Sequence, residues 1–257
     1  MLKVFSIGYK ETPYQLPSGW LTPFSNGPLA LINVADPYRD AGQGDSIAHL
    51  NDCFSELTAH YWVWKNVKDV GQIGFCHHRR YFNFIELEQI AQPKLLADPS
   101  PELLTFLNQP AQAQQAQKIL ETSDVIASRM YCLPETISSQ FCQAHGADIW
   151  SVFVQTVQDI APEWLSRYLP WFDVSHEFRF YPVFIMPWAV FDEFCSLMFP
   201  VLFEVHRRIG PKTDGPGVRF PLKRYPAYLS ERFMMLYFQA KGLRLYGAQL
   251  IVLEAGA

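Results

Sequence analysis

The sequence predicts an α/β protein in which a central mixed, mostly parallel sheet is flanked by helices. Residues 2–7 and 72–76 are short runs of β-forming residues, and residues 53–67 between them carry apolar side chains at helical spacing. This is the order of a parallel β-helix-β unit, and helical and strand-like patterns continue to alternate further along the chain. No linker is long enough to divide the chain, so we expect one domain over residues 1–257, with a helical insertion at about 130–178.

The first third of the chain reads as a strand, a long loop and an aromatic helix. Residues 2–7 alternate in polarity and stop at Gly8, as a strand does before a turn. Residues 11–45 are rich in proline and other turn formers, which predicts a loop. The one apolar run inside this loop, residues 29–34, is either a short strand or a helical turn.

The same rules of period and punctuation assign the rest of the chain. The expected elements are a helix over 84–97, a breaker-rich connection over 99–110, a helix over 111–122, a strand over 123–127, helices over 134–173, an aromatic strand over 178–186 broken by Pro182, helices over 188–209 and 226–240, and a final strand over 243–253.

Composition limits the classes of function. Hydrophobic residues make up 49% of the 257 residues and charged residues 18%, which is typical of a folded globular protein. The net charge of -4 provides no basic face, so we expect no nucleic-acid partner. The five cysteines form no CxxC pair, which favours a reducing compartment. With no membrane-length apolar run and too short an apolar start for a signal peptide, the sequence predicts a cytoplasmic location.

A basic cluster follows the predicted strand at residues 73–76. It reads His77-His78-Arg79-Arg80-Tyr81, and such groups must be hydrated or paired when they lie beside a core. Ligands of α/β proteins gather at the carboxyl ends of strands, and the arginine fork suits phosphate oxygens. The cluster therefore indicates an anion site. The alternative is a surface strand end with ordinary salt bridges.

Other catalytic motifs are absent from the sequence. It contains no GxSxG elbow, no P-loop, no three-glycine dinucleotide fingerprint and no HExxH metal motif. A DxD pair, which holds the divalent cation of a nucleotide diphosphate in many enzymes, is also missing. Arg79 and Arg80 can supply positive charge instead. We predict no certain cofactor, and a divalent metal remains an open alternative.

A second basic segment lies at residues 210–225, where proline and glycine predict a loop. Lys212, Arg219, Lys223 and Arg224 lie on it. Loops of this kind close over anionic substrates in many enzymes, and others are simply solvated. Both interpretations stay open at this stage.

Three stretches of the chain resemble a known family. They are GDSIAHLN, SELTAHYWVWKNV and IGFCHHRRYF. Together they resemble a bacterial family catalogued as a domain of unknown function and usually assigned to capsular or exopolysaccharide glycosyltransferases, with a G-D-N-I-S-type loop, an E-L-T-A-x-Y-W-x-W-K-N helix and a strand ending in H-Y-R-R-Y-F. The stretches SDVIA, FYPVFIMPWAVFDEFCSLMFPVLFEVHRRI and YPAYLSERFMMLYF are also similar to that family, so the resemblance covers nearly the whole chain.

The resemblance implies a GT-A-like fold and a glycosyltransferase activity. The enzyme would move a sugar from a nucleotide-diphosphate sugar to a saccharide or lipid-linked saccharide acceptor in capsule, exopolysaccharide or lipopolysaccharide synthesis, with peripheral contact with the inner membrane. The chain departs from the family pattern at His78, which replaces Tyr, at Ser46, which replaces Asn, and at Pro182, which also replaces Asn. Residues 130–180 match least and are expected to define the acceptor.

We predict that the donor diphosphate lies against His77, Arg79 and Arg80. The nucleotide base would lie near Gly8, Tyr9 and Lys10. The full donor-binding set is Tyr9, Lys10, His77, His78, Arg79, Arg80 and Tyr81.

An acceptor hydroxyl needs a general base if the configuration inverts. Glu231 is our first prediction and Asp45 the second, although Glu231 has the alternative of an ion pair with Arg232. Glu56 is expected to orient Arg79 or Arg80, and Lys65 and Arg232 to support the site. A non-catalytic sugar- or nucleotide-binding protein and a phosphate-ester enzyme remain competing predictions.

Overall fold

The computed structural model describes residues 1–12, 14–16, 19–85, 94–214 and 221–254. Within these ranges the strands are β1 (Leu2–Gly8), β2 (Leu21–Ser25), β3 (Gln72–His77), β4 (Arg80–Asn83), β5 (Lys94–Ala97), β6 (Val125–Ser128), β7 (Tyr131–Cys132), β8 (Glu177–Phe178), β9 (Phe184–Pro187) and β10 (Leu245–Leu253). The α-helices are α1 (Pro28–Ile32), α2 (Asn51–Phe54), α3 (Leu57–Asn66), α4 (Pro101–Leu107), α5 (Pro110–Leu120), α6 (Ile137–His145), α7 (Ala147–Ile160), α8 (Glu163–Ser166), α9 (Trp188–Ile209) and α10 (Tyr225–Lys241).

One large sheet organises the fold. Its strand order is β2-β1-β3-β4-β10-β6-β9, with β5 added beside β10. Because β9 also pairs with β3, the strands β3, β4, β10, β6 and β9 form a closed ring. Gly74 allows this closure, since a Cβ at this position would lie 2.6 Å from Cγ1 of Ile185 on β9. The short strands β7 and β8 form a separate pair, and helices α6, α7 and α8 lie between them in the chain.

The predicted α/β class and the flanking helices are confirmed, but the prediction of a mostly parallel sheet is wrong. β1 is parallel to β2 and β3, and β10 is parallel to β5 and β6. The pairs β3–β4, β3–β9, β4–β10 and β6–β9 are antiparallel, so the described sheet is evenly mixed. The cause is a hairpin between His77 and Arg80, which reverses the chain within two residues and brings β4 in antiparallel.

Most of the predicted elements are confirmed, and the errors have local causes. The run at 29–34 is helical, and β2 was missed because Pro23 lies inside it. The helix predicted over 53–67 is broken at Ser55, where φ is +52°. Residues 94–97 form a strand instead of the end of a helix, and residues 86–93 of that predicted helix lie outside the described ranges. The predicted connection at 99–110 contains α4, capped by the Ser100 hydroxyl.

Two hydrophobic cores cover the faces of the sheet. The larger one joins the sheet to α3, α6, α7, α9 and α10 and is dominated by phenylalanine side chains. The smaller one lies under α4 and α5 and includes Tyr81. None of the helices in the described ranges is long and apolar enough to cross a membrane.

A buried carboxylate fastens the early loop to α3. Asp40 is 0% exposed and accepts hydrogen bonds from Nδ2 of Asn26 (2.7 Å), from the backbone N–H of Gly27 (3.0 Å) and from the Thr58 hydroxyl. Farther along α3, the indole N–H of Trp62 donates to the carbonyl of Gln43 at 2.8 Å. These contacts give the polar residues of the SELTAHYWVWKN stretch a structural role, since they hold the loop that precedes α3.

Replacing Asp40 by alanine is expected to lower the free energy of unfolding by about 3 kcal/mol, because buried donors lose their acceptor. Urea denaturation followed by circular dichroism measures this loss. Asp52→Ala is the matched control, since Asp52 is exposed and its replacement should change stability by no more than about 0.5 kcal/mol. Equal stabilities of the two variants would contradict the anchoring role of Asp40.

Candidate functional site

The basic cluster lies on the hairpin that joins β3 to β4. His77 pairs with Arg80 across the hairpin, and His78 and Arg79 form its turn. The backbone N–H of His78 donates to the carbonyl of Ile7 at 2.7 Å, which ties the turn to the end of β1. Arg79 has φ of +70°, a left-handed conformation that the tight turn imposes. The hairpin thus presents basic side chains at the carboxyl end of β3, as the sequence predicts.

Arg80 is held between an imidazole and a phenol ring. Its NH1 lies 3.1 Å from Nδ1 of His77, and its guanidinium carbon lies 4.1 Å from the centre of the Tyr181 ring. A guanidinium can only donate, so Nδ1 of His77 accepts and Nε2 carries the hydrogen. That Nε2 lies 3.9 Å from Oε2 of Glu56. Nε of Arg80 is buried without a hydrogen-bond partner among the described residues.

Glu56 links this hairpin to the second basic segment. Its Oε2 lies 3.6 Å from NH2 of Arg224, and Nε of Arg224 donates to the Ser55 hydroxyl at 2.7 Å. Lys212, in contrast, pairs with Asp148 at 3.2 Å. Arg219 lies outside the described residues. Of the four basic residues predicted in this segment, Arg224 is thus the one whose contacts reach the hairpin site in the described ranges.

Glu231 brings a second carboxylate to the same place. Its Oε1 accepts from the backbone N–H of Tyr181 at 2.8 Å, and its Oε2 accepts from NH1 of Arg232 at 2.9 Å. Its side chain is 12% exposed. Burial raises the pKa of Glu231, while the Arg232 charge and the Tyr181 N–H oppose this shift and Glu56 adds to it. The Arg232 pair that the sequence left as an alternative is therefore present, and both carboxylate oxygens of Glu231 accept hydrogen bonds.

These contacts define a set of residues that we call the strand-end cluster. Its members share direct or electrostatic contact with Arg80 or His77 at the carboxyl end of β3. They are Glu56, His77, Arg80, Tyr181, Arg224 and Glu231.

Tyr9 and Lys10 lie beside the strand-end cluster. The Tyr9 ring is 4.5 Å from the His78 ring and 6.3 Å from the His77 ring, nearly parallel to the latter. The ammonium of Lys10 lies 5.6 Å from the centre of the Tyr9 ring. Since β1 and β3 are parallel neighbours, their carboxyl ends meet at one edge of the sheet. The structure therefore brings together the predicted base-binding and phosphate-binding residues.

The electrostatic environment of the cluster is positive. Burial, followed by the charges of Arg80 and Arg224, holds the pKa of His77 well below its usual value. Burial and the neighbouring His77, Arg80, Lys10 and Arg79 lower the pKa of His78 to about 2. Both imidazoles are neutral at pH 7 as a result. Neither Arg79 nor Arg80 forms an ion pair with a carboxylate in the described part of the chain, which leaves positive charge available for an anion.

Four of the predicted site residues lie elsewhere or face another way. Nε of Arg79 donates to the carbonyl of Leu253 at 2.8 Å, so part of its fork serves the last strand. Tyr81 is 3% exposed and belongs to the smaller core, because side chains alternate along β4 and Arg80 takes the opposite face. Asp45 and Lys65 lie at the far end of α3.

The length of α3 separates Asp45 and Lys65 from the cluster. The Tyr61 hydroxyl donates to Asp45 at 3.3 Å, the Asn66 side chain donates to the carbonyl of Asp45 at 2.8 Å, and Lys65 covers the Trp64 ring. Glu56 precedes the first turn of α3 and Asn66 ends it, about 15 Å away along the axis at 1.5 Å per residue. Arg232 is 2% exposed and supports Glu231 from behind.

Sequence reasoning missed Tyr181. Its ring stacks on Arg80, its backbone N–H donates to Glu231, and its φ is +72°. The residue lies in an aromatic run before Pro182, a pattern that indicates only a broken strand. Its left-handed backbone could not be anticipated from that pattern.

A buried histidine behind the cluster gives the protein an acid sensitivity. His60 is 1% exposed, its ring packs 4.1 Å from the Phe75 ring, and neither ring nitrogen has a hydrogen-bond partner in the described residues. Burial lowers the pKa of His60 from 6.5 to about 4. As the pH falls below 6.5 the unfolded chain takes up the proton first, so stability is lost between pH 6.5 and about 4.

Replacing His60 by phenylalanine is expected to reduce this acid-dependent loss by about 3 kcal/mol, because the variant has no imidazole to protonate at this position. Denaturant unfolding of the wild type and the variant at several pH values between 6.5 and 4 measures the difference in slope. His49→Phe provides the control, since His49 is exposed and its removal should leave the slope unchanged. Parallel curves for the wild type and His60→Phe would contradict the assignment.

A known protein family includes this site in its sequence profile. The profile of the family described as "Domain of unknown function (DUF4422)" matches residues 25–242, which is most of the chain and includes the strand-end cluster. The chain belongs to this family. The prediction that the chain belongs to a family catalogued as a domain of unknown function is thereby confirmed. No curated protein matches this chain.

A solved structure shares the fold of this DUF4422 chain. It is the apo structure of WbbM, a bifunctional glycosyltransferase, with a TM-score of 0.81 and 18% sequence identity. The similarity covers 98% of this chain and 45% of the WbbM chain, so this chain spans about half the length of that protein. At this identity, the similarity establishes a common fold.

Proposed function

We propose that the chain is a glycosyltransferase that moves a sugar from a nucleotide-diphosphate sugar to a saccharide acceptor. The observation that carries this proposal is the placement of Arg80. Its guanidinium has no carboxylate ion-pair partner in the described residues, and it belongs to the same strand-end cluster as the largely buried Glu231. The fold shared with a protein described as a bifunctional glycosyltransferase supports it.

In the proposed donor site, Arg80 and His77 contact the diphosphate and Arg79 adds charge from the turn. Tyr9 is 38% exposed, and a base can stack against its ring. Departure of the nucleotide builds negative charge on the β-phosphate. A guanidinium already held by His77 and Tyr181 stabilises this charge more in the transition state than in the ground state, because little reorganisation is needed.

Glu231 is the general base of the proposed reaction if the configuration inverts. It lies within the strand-end cluster, and its raised pKa brings it closer to the range in which a carboxylate exchanges protons at neutral pH. Glu56 positions His77 and Arg224. Asp45 is left out of the proposal because α3 places it far from the cluster.

The proposal assigns charge neutralisation to arginines. Within the described ranges, no group of three or more His, Cys, Asp or Glu side chains is arranged to hold a metal ion. The missing DxD pair predicts little dependence on a divalent metal, and the family resemblance implies that the strand ending at His77 lies where related enzymes carry that pair. Activity in the presence and absence of EDTA tests this expectation.

We also propose a biosynthetic pathway and a cellular location for this enzyme. By their resemblance to the family, the motifs imply a GT-A-type enzyme of capsule, exopolysaccharide or lipopolysaccharide synthesis. Its place would be the cytoplasm, with a lipid-linked saccharide acceptor and peripheral contact with the inner membrane.

The test combines binding with turnover. We expect UDP- or GDP-sugars to raise the melting temperature of the protein and to release UDP or GDP, slowly with water and faster with a saccharide acceptor. Stabilisation without release would favour the alternative of a non-catalytic nucleotide-binding protein. Release of phosphate from simple phosphate esters would favour an esterase. Absence of both binding and release with all UDP- and GDP-sugars would overturn the proposal.

A further inference from the structure

A groove of about 440 Å³ lies away from the strand-end cluster, between α7, α8 and the 3-10 turn Leu169–Asp173. Its volume falls in the range of about 300–1,000 Å³ that is typical of small-molecule sites. Trp150, Val154, Leu169 and Pro170 provide its apolar lining. The Trp150 side chain is held by ring contacts with Phe141, Phe153 and Phe172, at 5.3, 5.4 and 5.3 Å, so one wall of the groove is preorganised.

The polar lining of this groove comes from side chains of mixed chemistry. They are Gln158, Glu163, Ser166, Arg167 and Asp173. Three of these side chains are charged and exposed, and within the described residues none of them forms an ion pair. They are Glu163, Arg167 and Asp173. The neighbouring Asp159 behaves differently, since its carboxylate lies 2.8 Å from Arg208. The charged side chains that line the groove are therefore free to contact a ligand.

We propose that this groove binds a neutral saccharide. A pyranose ring has an apolar C–H face that packs on an indole or a proline, and a rim of hydroxyls that both donate and accept. Trp150 and Pro170 supply the flat apolar surface, carboxylates and the Gln158 carbonyl accept, and Arg167 and the Gln158 amide donate. Two carboxylates against one guanidinium leave a negative balance, which disfavours phosphorylated or acidic sugars.

The groove is separate from the strand-end cluster, but one of its walls packs on a side chain that contacts Arg232. The Trp150 ring packs on Phe141, whose ring centre lies 5.1 Å from the guanidinium carbon of Arg232, the ion-pair partner of Glu231. A sugar in the groove is thus separated from the cluster by packed side chains and cannot be the reacting unit. The groove could serve as an acceptor subsite that holds a sugar unit distant from the growing end, and this role rests on the proposed function. Saccharide binding by the groove does not rest on it.

Saturation-transfer NMR with the whole protein tests the assignment. The probes are the methyl pyranosides of glucose, galactose, mannose, N-acetylglucosamine and rhamnose, together with methyl glucuronide as an acidic comparison. Asp173→Ala and Arg167→Ala each remove an exposed groove side chain, and Gln155→Ala removes an exposed side chain of the same helix α7 that does not line the groove.

We expect at least one neutral glycoside to receive saturation, with affinity reduced about tenfold or more in both groove variants and unchanged in Gln155→Ala. No transfer to any neutral glycoside, or transfer that both groove variants retain, would overturn the assignment. UDP and GDP binding by thermal shift is measured in parallel. If the wild-type protein binds nucleotide but no neutral glycoside, the groove assignment alone is overturned, and if it binds a glycoside but no nucleotide, the proposed donor site alone is overturned.

Discussion

Replacing Arg80 by alanine is expected to lower the rate of transfer from a nucleotide sugar by about 10²–10³, the usual effect of losing one preorganised donor at a developing oxyanion. We expect this large effect because His77 and Tyr181 fix the guanidinium of Arg80 and no carboxylate in the described ranges forms an ion pair with it. Arg80→Lys should recover only part of the rate, since an ammonium retains the charge but loses the bidentate fork. The transfer rates of the wild type, Arg80→Ala and Arg80→Lys are measured as steady-state release of the nucleotide diphosphate.

Two comparisons make this prediction specific. Arg244→Ala is the matched control, because Arg244 is 67% exposed and pairs with Asp124 at 2.9 Å, away from the cluster, so its loss should leave the rate unchanged. Arg79→Ala should reduce the rate less than Arg80→Ala, because Nε of Arg79 is engaged by the Leu253 carbonyl. A folded Arg80→Ala protein with the wild-type rate would exclude the guanidinium from the reaction.

The second large effect is expected at Glu231. Glu231→Gln should lower the rate by about 10²–10⁴, the usual contribution of a general base, since an amide cannot take the acceptor proton. The wild-type rate should fall as the pH drops through the raised pKa of Glu231, above the ordinary 4.5, because protonation abolishes the base. This acidic limb should disappear from the pH profile of the residual activity in Glu231→Gln.

Glu56→Gln separates a base from a carboxylate that only positions its neighbours. Glu56 contacts His77 and Arg224, so its replacement should lower the rate while the acidic limb persists. Glu231→Gln also leaves the buried Arg232 without its counter-charge, although Arg232 still donates to the carbonyl of Tyr228 at 3.1 Å. Its folding must therefore be confirmed by thermal unfolding. An acidic limb that survives in Glu231→Gln would assign the base elsewhere.

The elements that the sequence predicted well are those whose signals are local. Local patterns identified the span of α9 to the residue and the position of α10, helix propensity identified the position of α5, and the β-forming run at 2–7 identified β1. The errors occurred where a local signal was weak or opposed. Pro23 obscured β2, and the short α4 was hidden among prolines that here occupy a first turn. Periodicity also gives no sense of strand direction, so the antiparallel placement of β4 and β9 could not be read from it.

The candidate site divides in the same way. The sequence by itself determined that basic side chains follow β3, because the strand and the residues directly after it are adjacent in the chain. Only the tertiary structure decided which acidic groups meet them. Glu231 reaches the cluster because α10 brings its carboxylate to the backbone N–H of Tyr181, and Asp45 lies far away because the helix α3, with its fixed rise, stands between it and Glu56. Distances between residues far apart in the chain are set by packing, and no local pattern encodes them.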